Sequence, residues 1–258
     1  MLEQIVAVVK KAGEIAKEGF EKAKEIEYKS EIDLVTQYDM KVEQFLSMHF
    51  QELFEDFEIV GEEFGSSGYK NGNKIIIDPI DGTTNFVHQI PIFAISVGVT
   101  VENVLTYGVV YNPVLDELYT ATKGQGAFLN GEAIHVSKSN TLTSSLIATG
   151  FPYTKIERGY DYKWTVHSFE NVLPFTRDIR RLGAASIDLC YVARGVFDGY
   201  YEINLKPWDT SAGVLMVLEA GGKVTNGATN SYELEDKLIV ATNGKIHEEL
   251  SQKLVPLG

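Results

Sequence analysis

The apolar residues of this chain change period close to residue 74, and that change limits the architectures open to it. From Leu2 to Lys24 they recur as Ile5, Val8, Val9, Ala12, Ile15, Ala16 and Phe20, a 3.6-residue stripe that predicts an amphipathic helix. Asp39 to Phe54 repeats the stripe through Val42, Phe45, Leu46 and Leu53, with Asp39 near its start. Beyond lie short β-branched or aromatic runs bounded by Gly, Pro or Asn. Lys74–Ile77, Phe93–Val101, Val104–Tyr111, Glu117–Ala121 and Leu238–Ala241 are each predicted as strands. Two further helices are predicted at Ala185–Arg194 and Asp209–Ala220, the second closed by Gly221-Gly222. Helices and hairpin strands mixed in this way predict layered sheets of the α/β or α+β class.

No Pro/Ser-rich linker, low-complexity tract or repeat divides the 258 residues, and the longest polar clusters, Gly65–Asn73 and Thr225–Asp236, are of loop size, so the chain reads as one domain over 1–258. The apolar run Ile5–Val9 is followed by two lysines and lacks a small-residue cleavage site, which argues against a signal peptide, and no run reaches membrane-spanning length. A lone Cys190 excludes an internal disulfide and fits a reducing, cytoplasmic setting. The formal charge of −13 opposes direct nucleic-acid binding, because there is no compact basic patch to release counterions. The charge either serves solubility or reflects carboxylates gathered to hold cations.

Ile75-Ile76-Ile77 reads as a buried strand, and Asp78-Pro79-Ile80-Asp81-Gly82 as a stiff turn leaving it. Pro79 fixes its own φ and keeps Asp78 out of helix, while Gly82 admits a backbone closed to other residues. Two acids on such a turn can converge on one point. Thr83 and Thr84 then open a short helical turn toward His88, whose N–H groups suit an anion. An isolated D-x-x-D is an ordinary turn signal, but two other stretches bear on it. Val60–Gly65, VGEEFG, sets Glu62 and Glu63 directly after an apolar pair, and Pro207–Gly213, PWDTSAG, sets Asp209 at a predicted helix start. Glu62 also reads as a loop charge and Asp209 as a helix cap.

Carboxylates gathered this closely need cations or protons. Oxygen donors without Cys or His suit Mg²⁺ rather than Zn²⁺, and the histidines at 49, 88, 135, 167 and 247 have no metal-binding spacing. Paired Mg²⁺ ions are a recurrent apparatus for splitting phosphate esters, and a turn rich in N–H donors lies beside these acids. The combination points to a phosphatase. No G-x-x-x-x-G-K-[ST], G-x-S-x-G or G-x-G-x-x-G occurs, which argues against nucleoside triphosphate binding, serine hydrolysis and dinucleotide binding.

GEEFG, DPIDGTTNF and WDTSAGVLMVLEAGG, in this order and at these separations, closely resemble the inositol monophosphatase family of lithium-sensitive, Mg²⁺-dependent phosphatases. DLVTQYD (Asp33–Asp39), GAFLNG (Gly126–Gly131) and Arg180–Glu202 extend the resemblance over essentially the whole chain. It implies an αβαβα sandwich of the inositol monophosphatase/fructose-1,6-bisphosphatase type, usually a homodimer, with two or three Mg²⁺ ions per active site. By matching motif, Glu62 is a metal ligand that helps orient the attacking water, and Asp78 is shared between metals. Ile80 lends its carbonyl, and Asp81 and Asp209 hold a second metal. Gly82 and Thr83 N–H groups receive phosphate, and the Thr83 hydroxyl, polarised by Asp39, sits against the water. Gly183, Ala184 and Ala185 match a backbone segment contacting substrate, and Glu202 a carboxylate that binds a polyol hydroxyl, its other reading being a solvated strand-end charge. Relatives often carry a hydroxyl where this chain has Ala184, which bears on that subsite.

The substrate expectation is inositol 1-phosphate or a related small polyol or sugar phosphate. Fructose 1,6-bisphosphate, NADP and histidinol phosphate are the alternatives; NFVHQIP favours the inositol branch over the histidinol one, and the chain length disfavours adenosine bisphosphates. Arg180 and Arg181 could meet a second phosphate, or lie at a surface or dimer interface. Some bacterial relatives act as partners of transcription proteins, a role this acidic surface could also serve.

Overall fold

The computed structural model describes residues 1–22, 26–28, 34–68, 72–227 and 230–257, with backbone alone at 26–28, 34 and 35. Helix α1 (Leu2–Glu21) buries the predicted stripe Ile5, Val8, Val9, Ala12 and Ala16; the last predicted residues, Ala23 and Lys24, lie outside the described residues. A strand pair, β1 (Ile26–Tyr28) and β2 (Leu34–Thr36), leads into α2 (Gln37–Leu53). Helix α2 starts two residues before the predicted Asp39 because Thr36 caps it, its Oγ1 accepting the Tyr38 and Asp39 N–H groups at 3.1 and 3.4 Å.

Next come β3 (Glu58–Gly61), β4 (Gly65–Ser67), β5 (Lys74–Asp81), the short helix α3 (Thr83–Val87), β6 (Ala94–Val101), β7 (Val104–Asn112), β8 (Glu117–Thr122), β9 (Gly126–Leu129) and β10 (Glu132–Ile134). They form an eight-stranded sheet in the order β10-β9-β8-β7-β6-β5-β3-β4. All pairs are antiparallel except β3–β5, which is parallel. The predicted loop at Gly65–Asn73 is corrected in part, since Gly65–Ser67 forms an exposed edge strand.

The turn predicted at Asp78–Gly82 is corrected too. The strand runs on to Asp81, and its register against β6 slips between Asp78 and Asp81. Pro79 has no N–H to give the ladder, so the backbone bulges there without leaving the sheet. The chain turns only at Gly82, in the left-handed region at φ 93°.

The remaining elements are β11 (Leu146–Thr149), α4 (Tyr160–Val172), β12 (Asp178–Arg180), α5 (Ala185–Ala193), β13 (Gly199–Ile203), α6 (Pro207–Glu219), β14 (Lys223–Thr225), β15 (Leu238–Thr242) and α7 (His247–Ser251). A five-stranded sheet, β12-β11-β13-β15-β14, is built from them. Three apolar clusters then define the layers. Helices α1 and α2 pack on one face of the large sheet through Ile5, Leu46, Phe50, Ile75, Ile77 and Val97. Helices α5 and α6 fill the space between the sheets through Leu189, Val192, Leu215, Met216, Tyr200 and Ala241. Helices α4 and α7 cover the outer face of the small sheet through Trp164, Ile147, Tyr201, Val240 and Leu250. The result is the αβαβα order that the family resemblance implies. Close seating of α6 requires Gly98, where a Cβ would stand 2.2 Å from Ser211 Oγ.

Candidate active site

Parallel pairing of β3 with β5 sets Gly61 opposite Ile77, so the acids that follow each strand lie side by side. The Glu62 N–H donates to the Ile77 carbonyl at 3.3 Å, next to Asp78. On the other flank Ser96 is paired with Asp78 in register, and its hydroxyl donates to the Trp208 carbonyl at 3.3 Å, bringing the start of α6 and Asp209 to the same point. Helix α5 supplies the third side. Its Ala185 and Ser186 N–H groups donate to Asp81 Oδ1 and Oδ2 at 3.2 and 2.7 Å, and the Ser186 hydroxyl to Oδ2 at 2.5 Å. One bulged strand, the end of its parallel neighbour and two helix starts thus collect Glu62, Asp78, Asp81 and Asp209.

Their electrostatics agree with that convergence. Burial first, then the charges of Glu62, Asp81, Asp209 and Asp39, push the Asp78 carboxyl well above the ordinary range. Burial and the Asp81 charge do the same to Asp209, while the Lys206 N–H, 2.7 Å from Oδ2, pulls it back. Asp81 is raised by burial despite its bonds from α5. The oxygens are committed unevenly. Asp81 has both on α5, Asp209 keeps one on Lys206, and Asp78 Oδ1 accepts the Ile80 N–H at 3.1 Å. Among the described residues no three acidic, His or Cys side chains therefore form a finished metal cage. The donor set, carboxylates plus the Ile80 carbonyl, nonetheless has the chemistry of a site for a hard cation.

Thr83 opens α3 beside this cluster. Its Oγ1 lies 3.1 Å from both Asp39 Oδ1 and the Ile80 carbonyl oxygen, as donor. Asp39 is fully buried in the first turn of α2, with Oδ2 accepting the Thr36 N–H at 2.9 Å and the Thr36 hydroxyl at 2.5 Å. Burial lifts its carboxyl to about 6 against the pull of the Thr36 bonds. Asp39 and Asp209 therefore share one design. Each is the third residue of its helix, spends one oxygen on the backbone of the helix start, and has a second oxygen for the site.

One turn after Asp39, α2 carries Glu43, which the sequence reading missed. It is fully buried, and its Oε2 and Oε1 accept the N–H groups of Glu63 and Phe64 at 2.8 Å each, clamping the turn that presents Glu62. Its i, i+4 spacing from Asp39 was the available signal.

Around the corner a narrow cleft lies between Asp81, Asp209, Gly183, Ala184 and Glu202, and Tyr153, Arg181 and Asp188 also line it. The Tyr200 hydroxyl donates to Glu202 Oε2, and burial raises the Glu202 carboxyl to about 7. Arg181 reaches the cleft, whereas Arg180 turns outward to Asp178, so the two adjacent arginines have different surroundings. A wider cavity of about 430 Å³ lies on another face of α6, lined by Val60, Lys74, Leu105, Val214 and Leu218. It holds none of the converging carboxylates, and the chemistry therefore belongs to the smaller cleft.

Comparison with known proteins agrees with this architecture. The profile of the inositol monophosphatase family matches residues 1–257. Inositol monophosphatase 2 of Solanum lycopersicum is 39% identical over 249 residues, covering 94% of this chain and 93% of its own. The Nus factor SuhB of Pasteurella multocida is 35% identical, covering 99% and 96%. The crystal structure of the extragenic suppressor protein suhB from Bartonella henselae superposes with a TM-score of 0.92 at 35% identity over 97% and 96% of the two chains. The layered fold and these relatives define a phosphoric monoester hydrolase. The chain belongs to the inositol monophosphatase family.

Proposed function

We propose that the protein is a Mg²⁺-dependent phosphomonoesterase acting on inositol 1-phosphate or a related small polyol or sugar phosphate. The observation that carries this reading is the Thr83 hydroxyl, 3.1 Å from Asp39 Oδ1 and set beside the carboxylate cluster. Phosphate oxygens are received by the Gly82 and Thr83 N–H groups where α3 begins. With its proton given to Asp39, the Thr83 oxygen is left with lone pairs to accept a proton from the attacking water, which Glu62 orients. A carboxyl held at about 6 is largely ionised at neutral pH and able to accept that bond. Glu62, Asp78, the Ile80 carbonyl, Asp81 and Asp209 would hold the Mg²⁺ ions, two or three per site, which supply Lewis-acid activation and stabilise charge on the leaving oxygen.

The alcohol part of the substrate enters the cleft of Gly183, Ala184, Ala185 and Glu202. The Ala185 N–H is already bonded to Asp81, so this residue shapes the wall instead of donating to substrate. A phosphate-release panel over myo-inositol 1-phosphate, fructose 1,6-bisphosphate, NADP and histidinol phosphate, with Mg²⁺ and with excess chelator, tests the reading. Turnover of a polyol phosphate that vanishes on chelation supports it; full activity in chelator, or no turnover of any ester, sinks it.

The partner reading has the name of the Pasteurella relative behind it; stable capture of transcription proteins by a protein without turnover would favour it. We also propose a cytoplasmic homodimer, checked by light scattering and cell fractionation. Among the described residues, no helix is long and apolar enough to cross a membrane.

A further inference from the structure

We propose that Asp188 is a specificity-determining residue: with Glu202 it reads hydroxyls on the alcohol part of the substrate, so that the cleft prefers phosphate esters of polyols carrying at least two free hydroxyls. This rests on the phosphomonoesterase reading above and deepens it.

Asp188 lies in the first turn of α5, a helix whose neighbouring residues Ile187, Leu189, Cys190 and Val192 are all buried in the core between the sheets. An apolar side chain would suit the packing there. The carboxyl is instead 1% exposed, and its Oδ1 has no hydrogen-bond partner. No other acid of the site is left this way. Asp39 has Thr36, Asp78 has the Ile80 N–H, Asp81 has Ser186, Asp209 has the Lys206 N–H, and Glu202 has the Tyr200 hydroxyl. A buried acceptor without a donor is costly, and an orphan of this kind calls for a reason.

The surroundings supply one. Asp188 lines the same cleft as Glu202 and Arg181, next to Asp81. It feels the charges of all three. Gly150 forms the adjoining wall so tightly that a Cβ there would stand 2.0 Å from both Glu202 oxygens. Two carboxyls therefore share one small volume beside Asp81 and Asp209.

The ligand chemistry follows from the wall. Each carboxyl presents an oxygen that an O–H can satisfy. Arg181, with its guanidinium 5.7 Å from the Phe151 ring centre, offsets part of the negative charge of Asp188 and Glu202. An ester of a plain aryl alcohol enters without hydroxyls and leaves Asp188 Oδ1 as it is. A polyol supplies the missing donor, and that gain is available only to substrates of its class.

The test uses the full chain with Mg²⁺ and measures kcat and KM for myo-inositol 1-phosphate and para-nitrophenyl phosphate. The proteins are the wild type, Asp188→Leu and the near-isosteric Asp188→Asn, each with a melting curve. The expected result is a fall of about tenfold or more in the polyol-to-aryl ratio of kcat/KM for Asp188→Leu, mostly through KM for the polyol ester. The Leu variant should melt no lower than the wild type. Asp188→Asn, which keeps shape and one acceptor, should fall between them. Equal losses on both esters, or an unchanged ratio, would overturn the assignment and make Asp188 a packing residue. A wild type that releases phosphate from other esters but from no polyol phosphate overturns the substrate reading and this inference together; an unchanged ratio in an enzyme that hydrolyses polyol phosphates overturns this inference alone.

Discussion

Replacing Gly61 by Ala should loosen the active site from behind, through Glu43. Gly61 is absent from the residues with positive φ, so alanine costs little backbone strain there. What it lacks is room. A Cβ at 61 would lie 1.9 Å from Glu43 Oε1 and 2.4 Å from its Cδ, and the carboxylate must swing away. It would then release the Glu63 and Phe64 N–H groups, now bonded at 2.8 Å each. Hydrogen bonds to a charged group contribute roughly 1.5–3 kcal/mol each, so the pair lost is worth about 3 kcal/mol at the low end. For a chain of this size that lowers the melting temperature by about 6–12 °C. Scanning calorimetry on chelator-treated protein measures this without any contribution from bound metal. Because Glu62 sits between Gly61 and the released turn, kcat should fall as well. The decisive control is the double-mutant cycle with Glu43→Ala. In that background Gly61→Ala should cost little, giving a coupling near the full loss. Additive losses, or a Gly61→Ala protein that melts with the wild type, would refute the clamp.

Asp39→Asn and Thr83→Ala should each lower kcat by roughly 10²–10⁴-fold, and the double mutant should fall little below the worse single one; log-additive losses in stopped-assay kinetics would separate the two residues. Burial holds the Glu202 carboxyl near 7, so it binds protons more tightly folded than unfolded, and its contribution to stability is lost as pH rises through that value. Asp78 and Asp209 are raised in the same direction. Metal-free protein should therefore melt higher at about pH 6.5 than at pH 8, and Mg²⁺ should raise the melting temperature more at pH 8; the opposite order in calorimetry would count against a buried acidic cluster. His247 behaves inversely. Burial between the Thr225 and Thr242 hydroxyls lowers it to about 4, so unfolded chains take up its proton first and stability drops as pH falls from the ordinary imidazole value of 6.5 toward 4. At about 1.36 kcal/mol per pH unit, wild type should lose about 3 kcal/mol more across that window than His247→Gln, and equal acid losses in urea titrations would exclude the histidine.

The parts of the fold legible in the sequence were those where one physical signal acts alone. The stripe of α1 and the β-branched run of β5 are such cases, because solvent lies on one side of the helix and apolar layers enclose the strand. Strand β13 was missed because both Tyr200 and Tyr201 are fully buried. With helices on each face of the small sheet, the alternation that marks a half-exposed strand disappears. Helix α4 was missed for a related reason. Its buried face includes Thr165 and Ser168 alongside Trp164 and Val172, which blurs its apolar period. The bulge in β5 hid behind Pro79 and Gly82, whose usual meaning is a turn.

The site residues were legible where the motif concentrates acids on short segments, and not where the fold supplies support from a distance. Glu43 and Asp188 stand on helices, in stretches without punctuation, and only tertiary structure gives them neighbours. Asp39 and Asp209 mark the boundary between the two cases. In each, a helix-capping role and a site role compete as explanations of the same residue in the sequence. In the structure the two roles are compatible, because a carboxylate has two oxygens. The oxygen spent on the helix start locks the side chain's direction, and the other is thereby aimed with little entropy left to lose. Capping is then the means by which these two carboxylates are preorganised, and weakening the cap should damage the site before it damages the fold. Thr36→Val, which removes the hydroxyl that donates to Asp39 Oδ2 and accepts the Tyr38 and Asp39 N–H groups, should reduce kcat at temperatures where melting curves show the variant still folded; an unchanged kcat in the folded variant would refute the aiming role.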